Sequence, residues 1–233
     1  MFQTPLIMYP PMILDIHTHS LTPDPEAIID ISGLLKEEGI KKTIEYIESS
    51  QSQGGQLFSV GVHPWWMAEG VGDEVLDGIR ELAHRDEIAA IGEVGIDIPK
   101  GGLLFRQMKV FREMIELSEE VEKPLLIHNV KGQEIIIELH KDMRPAQRWA
   151  IHGMRSKPGV AAMFLREGLY LSFGEYFNEE TLRSVPVDYI LAETDESDCS
   201  IRKVISSLAG ALSLSDEALQ SQIGANASCF LGR

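Results

Sequence analysis

The sequence predicts a TIM-type (β/α)8 barrel with a truncated first βα unit. Three observations point there. Eight short apolar runs alternate with amphipathic stretches along 233 residues. Most runs are apolar on both faces, as strands covered on both sides must be. Polar and titratable residues gather where the runs stop, as they do at the active face of such a barrel. Eight β-then-α units in this length sit close to the ~250 residues typical of the fold.

The runs are Met12–Ile16, Ala27–Ile31, Leu57–Val62, Ile88–Ile91, Pro124–Ile127, Trp149–Ile151, Leu169–Phe173 and Tyr189–Ala192. The interval between the first two is too short for a full crossover helix, which truncates the first unit. Later intervals carry helical periodicity. Leu104, Met108, Phe111 and Ile115 form one apolar stripe, and Ile201, Val204, Ile205, Leu208 and Leu212 form another. A doubly wound open sheet is the competing architecture, but no Gly-rich phosphate turn follows the first strand. No linker-like segment or internal repeat breaks the series, so residues 1–233 are expected to form a single domain.

Composition narrows the function classes. Hydrophobic residues make up 44% and charged residues 24%, which argues against disorder. No apolar run approaches the ~18–20 residues a membrane span needs. The opening MFQTPLIMYPPM has three prolines and no basic stretch, unlike a secretory signal. Two cysteines, Cys199 and Cys229, make no disulfide framework, and a reduced cytoplasmic setting is expected. The net charge is −15, so strong binding of long duplex nucleic acid through the general surface is not expected. A local site for a strand end remains open to it.

Five of the seven histidines, namely His17, His19, His63, His128 and His152, directly follow apolar runs. His84 and His140 lie in polar helical contexts and read as surface residues. Alternation along a strand puts Asp15, His17 and His19 on one face. Asp15 is expected to support the layer beneath rather than to hold a metal. Glu93, flanked by Gly92 and Gly95, could bridge two cations through its two oxygens, while Asp97 reads equally well as a loop carboxylate. His128 and His152 add two imidazoles on consecutive strands. Asp195 adds a terminal carboxylate, with Glu193 one layer below. This nitrogen-plus-carboxylate set suits Zn2+, Mn2+ or Fe2+, whereas Mg2+ prefers an oxygen-rich shell. Six ligands suffice for two ions about 3.5–4 Å apart.

From Met12 to Phe230 the sequence resembles the TatD family of metal-dependent deoxyribonucleases, within the amidohydrolase-like barrel superfamily. The resemblance rests on Asp15-Ile-His17-Thr-His19, Gly61-Val-His63-Pro64, Gly92-Glu93-Val-Gly95-Ile-Asp97, the strand-end histidines His128 and His152, Glu193-Thr-Asp195, and the closing Asn226–Phe230. It implies two divalent ions, Mg2+, Mn2+ or Zn2+. His17, His19, Glu93 and Asp195 would hold one, and Glu93, His128 and His152 the other. Three loops depart from the family pattern. Val130, followed by Lys131, stands where an arginine is common. His152-Gly-Met-Arg155-Ser156 replaces H-C-F-S-G. The segment after Asp195 enters a helix almost at once. All three would line the substrate wall and leave the ligand set intact.

The expected chemistry is hydrolysis of an ester bond, with Asp195 and Glu93 as catalytic residues and a phosphodiester at a nucleic-acid end, or a small phosphodiester, as substrate. His63 either faces the substrate or pins the Pro64-Trp65-Trp66 turn. Lys131 and Arg155 are candidate phosphate contacts. Trp65 and Trp66 either stack on a base or pack against the rim. Two alternatives stand beside this reading: a same-fold hydrolase of a small ester, lactone or amide, and a non-catalytic metal-binding barrel.

Overall fold

Eight parallel strands run in chain order around one sheet, each hydrogen-bonded to the next. The computed structural model describes residues 12–51 and 55–233. The opening residues 1–11, whose sequence does not read as a secretory signal, lie outside them. The strands are β1 (Asp15–Thr18), β2 (Ala27–Asp30), β3 (Leu57–Val60), β4 (Ile88–Asp97), β5 (Leu125–Val130), β6 (Trp149–Ile151), β7 (Tyr170–Phe173) and β8 (Ile190–Ala192). The helices are α1 (Ser32–Gln51), α2 (Asp73–Ala83), α3 (Leu104–Glu120), α4 (Gln133–Met143), α5 (Pro158–Arg166), α6 (Glu179–Ser184), α7 (Ile201–Leu212) and α8 (Asp216–Phe230). Short 3-10 turns stand at Pro64–Ala68 and Val187–Tyr189. No helix is assigned between β1 and β2, so the truncated first unit is present as expected.

The sheet closes into a barrel at one seam. Thr18 and Asp195 form a parallel bridge between β1 and the end of β8. The Asp195 N–H donates to the His17 carbonyl at 3.0 Å, and the His19 N–H donates to the Asp195 carbonyl at 3.1 Å. Beneath it, Asp15 accepts from the Thr194 N–H at 3.0 Å and from its hydroxyl at 2.6 Å. Asp15 is therefore the expected support, and burial raises its carboxyl to about 7. The seam thus fixes three candidate ligands, His17, His19 and Asp195, by backbone bonds.

Only β6 keeps its expected bounds to the residue; β4, β1 and β5, which runs past Ile127 to Val130, depart most. β4 runs on past Ile91 to Asp97, and all ten of its residues are buried. β1 begins at Asp15 rather than Met12, because its polar residues belong to the strand. The glycines of β4 explain its length. A Cβ on Gly92 would meet Leu126 Cβ at 2.6 Å, and one on Gly95 would meet the His128 carbonyl oxygen at 2.2 Å. Their absence of side chains lets β5 close against β4, with Gly95 in register with His128. This brings Glu93 and His128 together.

Around the barrel, Phe111 and Ile115 of α3 and Ile201, Val204, Ile205 and Leu208 of α7 are buried in the main apolar core as their spacing predicts, with Met108 and Leu212 partly buried against it. Leu104, at the start of the α3 stripe, is exposed, and Met114 takes a core place outside that stripe. His140 is half-buried, packed edge-on to Trp149 at 4.8 Å. Its expected place on the surface is corrected: one face of α4 brings it under Glu167, and burial lowers its imidazole. His84 is exposed as expected, 3.3 Å from Glu120.

Candidate metal centre

The six expected ligands converge at the C-terminal mouth of the barrel. Glu93 sits at their centre with 3% of its surface exposed. Its Oε2 stands 3.4 Å from Nε2 of both His17 and His19. Its Oε1 faces the other side, 2.6 Å from His152 Nε2 and hydrogen-bonded to His128 Nδ1. One carboxylate oxygen thus serves each imidazole pair. Asp195 Oδ1 completes the first group, 3.9 Å from His17 Nε2 and 3.6 Å from His19 Nε2. Its Oδ2 turns toward the cavity, 3.9 Å from Arg155 Nη2.

The backbone that presents these groups is held in uncommon conformations. Asp195 has φ 55° and Lys131 φ 60°. Such left-handed geometry costs roughly 1–3 kcal/mol at a non-glycine residue and persists where surroundings fix it. For Asp195 the seam bonds supply that constraint.

These residues fit divalent cations. Ligand atoms of His17, His19 and Asp195 lie within 4.8 Å of one another, as do those of His17, Glu93 and His152. Both ring nitrogens of His17 and Nδ1 of His152 are buried and make no hydrogen bond. Buried polar atoms without partners are rare unless a ligand completes them. Burial opposes charge on Glu93, but His152, His128 and His17 outweigh it and hold its carboxyl well below the usual range. Burial likewise opposes charge on His152, but Glu93 and Glu193 hold it well above its usual range. His19 rises to about 9 because Glu93, Asp30 and Asp195 overcome its burial. Cations would take over the charge balance that protonated imidazoles otherwise supply.

The carboxylates that hold the ligands from behind were only partly legible in the sequence. Asp30 had no signal there, since it lies far along the chain from its partner. It accepts from the Glu93 N–H at 2.8 Å and so fixes the strand at the central carboxylate. Glu193 accepts from the Gly153 N–H at 2.6 Å and stands 3.7 Å from His152 Nδ1. Asp97 is nearly buried and accepts from the Trp65 indole N–H at 2.6 Å.

The substrate-side candidates divide. His63 Nδ1 accepts from the Trp65 N–H at 3.1 Å, which pins the turn, while its Nε2 stands 3.1 Å from Glu93 Oε1. Arg155 and Lys131 both line a cavity of about 1230 Å3 over the cluster. Trp65 is 40% exposed at this cavity, with the Lys100 ammonium 4.1 Å from its ring centre. Trp66 also lines the cavity, while packing against the core.

A sequence model of the family described as TatD related DNase matches residues 15–231. The chain belongs to the TatD family. A relative named "Uncharacterized metal-dependent hydrolase" from Buchnera aphidicola subsp. Baizongia pistaciae is 31% identical over 148 residues, 60% of this chain and 55% of that protein. The Bacillus subtilis "Uncharacterized metal-dependent hydrolase YabD" is 31% identical over 150 residues, 59% of this chain and 57% of that protein. The matched part therefore spans little more than half the length of these relatives. The crystal structure of the Escherichia coli TatD homologue YJJV superposes with a TM-score of 0.79 at 17% identity, covering 95% of this chain and 98% of that one. This likeness shows the shared barrel fold. Among the described residues, no helix is long and apolar enough to cross a membrane.

Proposed function

We propose that this TatD-family chain is a two-cation hydrolase that cleaves phosphodiesters at nucleic-acid ends, DNA foremost. The observation that carries the reading is the division of Glu93 between two imidazole groups, one oxygen to each. His17, His19, Glu93 and Asp195 would hold one ion, and Glu93, His128 and His152 the other. When bound, such ions lower the pKa of water and stabilise charge on a phosphoryl oxygen.

The chain's own groups do the rest. Asp195 Oδ2, free of the imidazole pair, takes the proton of the attacking water and delivers it to the leaving oxygen. His63 accepts a backbone N–H at Nδ1, so its neutral ring carries the proton on Nε2. That N–H faces Glu93 Oε1, 3.1 Å away, so it reaches a phosphate oxygen only where substrate or an ion displaces that contact. Arg155 lies beside Asp195 and offers a second donor. His63→Ala should leave two ions bound and lower kcat/KM by about 10–100-fold, the range for a hydrogen bond to a charged group. Loss of an ion in that variant would reverse this assignment.

End-trimming follows from the charge distribution. Lys100, Lys131, Arg155 and Lys203 line the cavity, and the loops after β7 and β8 place Glu175, Glu196 and Asp198 on the same lining. With a net charge of −15, little remains to hold a long strand beyond the nucleotides nearest the cut. The same acidic loops favour a second reading, a small ester, lactone or amide that carries fewer negative charges. The test compares a linear single strand, a linear duplex and a closed circular strand, with added metal and with chelator. The proposal expects metal-dependent shortening of the linear single strand and an intact circle. Efficient cutting of the circle overturns end-trimming. Inactivity on all three, with metal-dependent hydrolysis of a small ester or lactone, establishes the second reading.

A further inference from the structure

We infer that Asp97 and Trp65 act as a positioning pair for His128, linking the mouth of the cavity to the ion that His128 would share with Glu93. The inference rests on the proposed two-cation site. His128 lies between two carboxylates, with Nδ1 toward Glu93 Oε1 and Nε2 3.2 Å from Asp97 Oδ2. A neutral imidazole carries one proton. In the ion-free chain Nδ1–H donates to Glu93; with an ion between them, a hydrogen bond from Nε2–H to Asp97 would hold the tautomer whose Nδ1 is bare, which is the state a ligand needs.

Asp97 is itself held from several sides. The same Oδ2 accepts the Trp65 indole N–H at 2.6 Å, and Oδ1 accepts the Lys100 backbone N–H at 2.8 Å. The Asp97 N–H donates to Gln107 Oε1 at 2.8 Å, which ties the strand end to α3. Trp65 is the exposed end of this chain of contacts. Its ring is edge-on to His63 at 4.8 Å and covered by Lys100. A substrate group that displaces Lys100 from this ring would press on the indole whose N–H fixes Asp97. Occupancy of the mouth is thereby coupled to the orientation of His128.

The experiment titrates the metal-free chain with Zn2+ against a chromogenic chelator while recording tryptophan emission. Asp97→Asn should weaken the second ion by about 10–100-fold, as for other partners of metal-bound histidines, and leave the first within about 2-fold. Trp65→Phe keeps the ring, loses the N–H, and should weaken the second ion by about 3–10-fold, the range of one hydrogen bond. Emission should change as the second ion binds to the wild type and to Trp66→Phe, but not to Trp65→Phe. With metal saturating, Asp97→Asn should lower kcat more than it raises KM. A second ion bound as tightly by Asp97→Asn as by the wild type overturns the pair. Equal weakening of both ions, with a lower melting temperature, also overturns it by making Asp97 merely structural. A wild-type chain that takes up no second ion overturns instead the two-cation reading beneath it.

Discussion

Asp195→Asn is expected to lower turnover by about 10²–10⁴-fold, the range for removing a general base, while changing ion content far less. The two oxygens of Asp195 have different surroundings. Oδ1 faces His17 and His19, and Oδ2 faces the cavity and Arg155. Asparagine keeps a carbonyl oxygen for the first and cannot take a proton at the second. The backbone bonds across the seam do not depend on the side chain, so the strand ends should stay joined. Single-turnover rates measured beside ion content separate the roles. Parallel loss of metal and rate would make Asp195 chiefly a ligand.

Glu93→Gln is expected to be the most damaging change for metal binding. Five imidazoles surround this carboxylate within 3.4 Å or less. Removing one partner from a buried charged network costs roughly 3–5 kcal/mol, or about 10²–10⁴-fold in affinity. The glutamine keeps the side-chain volume, and Asp30 still holds the backbone at this position. The loss should fall on ion binding, with the barrel's helical circular dichroism retained. Isothermal titration with Mn2+ or Zn2+ checks it. Tight uptake of both ions by this variant would refute the bridging role.

The barrel was legible because buried parallel strands are apolar on both faces, and their ends are where polarity begins. That contrast marked His17, His19, Glu93, His128, His152 and Asp195 without any long-range information. It was less informative where polar residues lie inside strands. β1 carries Asp15, His17 and Thr18 in the sheet itself, so an apolar run places the strand several residues too early. Gly92 and Gly95 resemble a turn, yet they permit close approach of β5 and belong to β4. Asp30 was invisible because its function is a contact with the Glu93 backbone, and neither its neighbours nor its spacing announces that contact. His140 was misread because only the packing of α4 on Trp149 hides it.

The central claim is the sharing of Glu93 between two cations. Native mass spectrometry of the wild-type chain, reconstituted with Zn2+ or Mn2+ and freed of excess metal, measures this most directly. The account predicts two ions per chain as the dominant species, lost on chelation. A chain that saturates at one ion, or binds none, would contradict it.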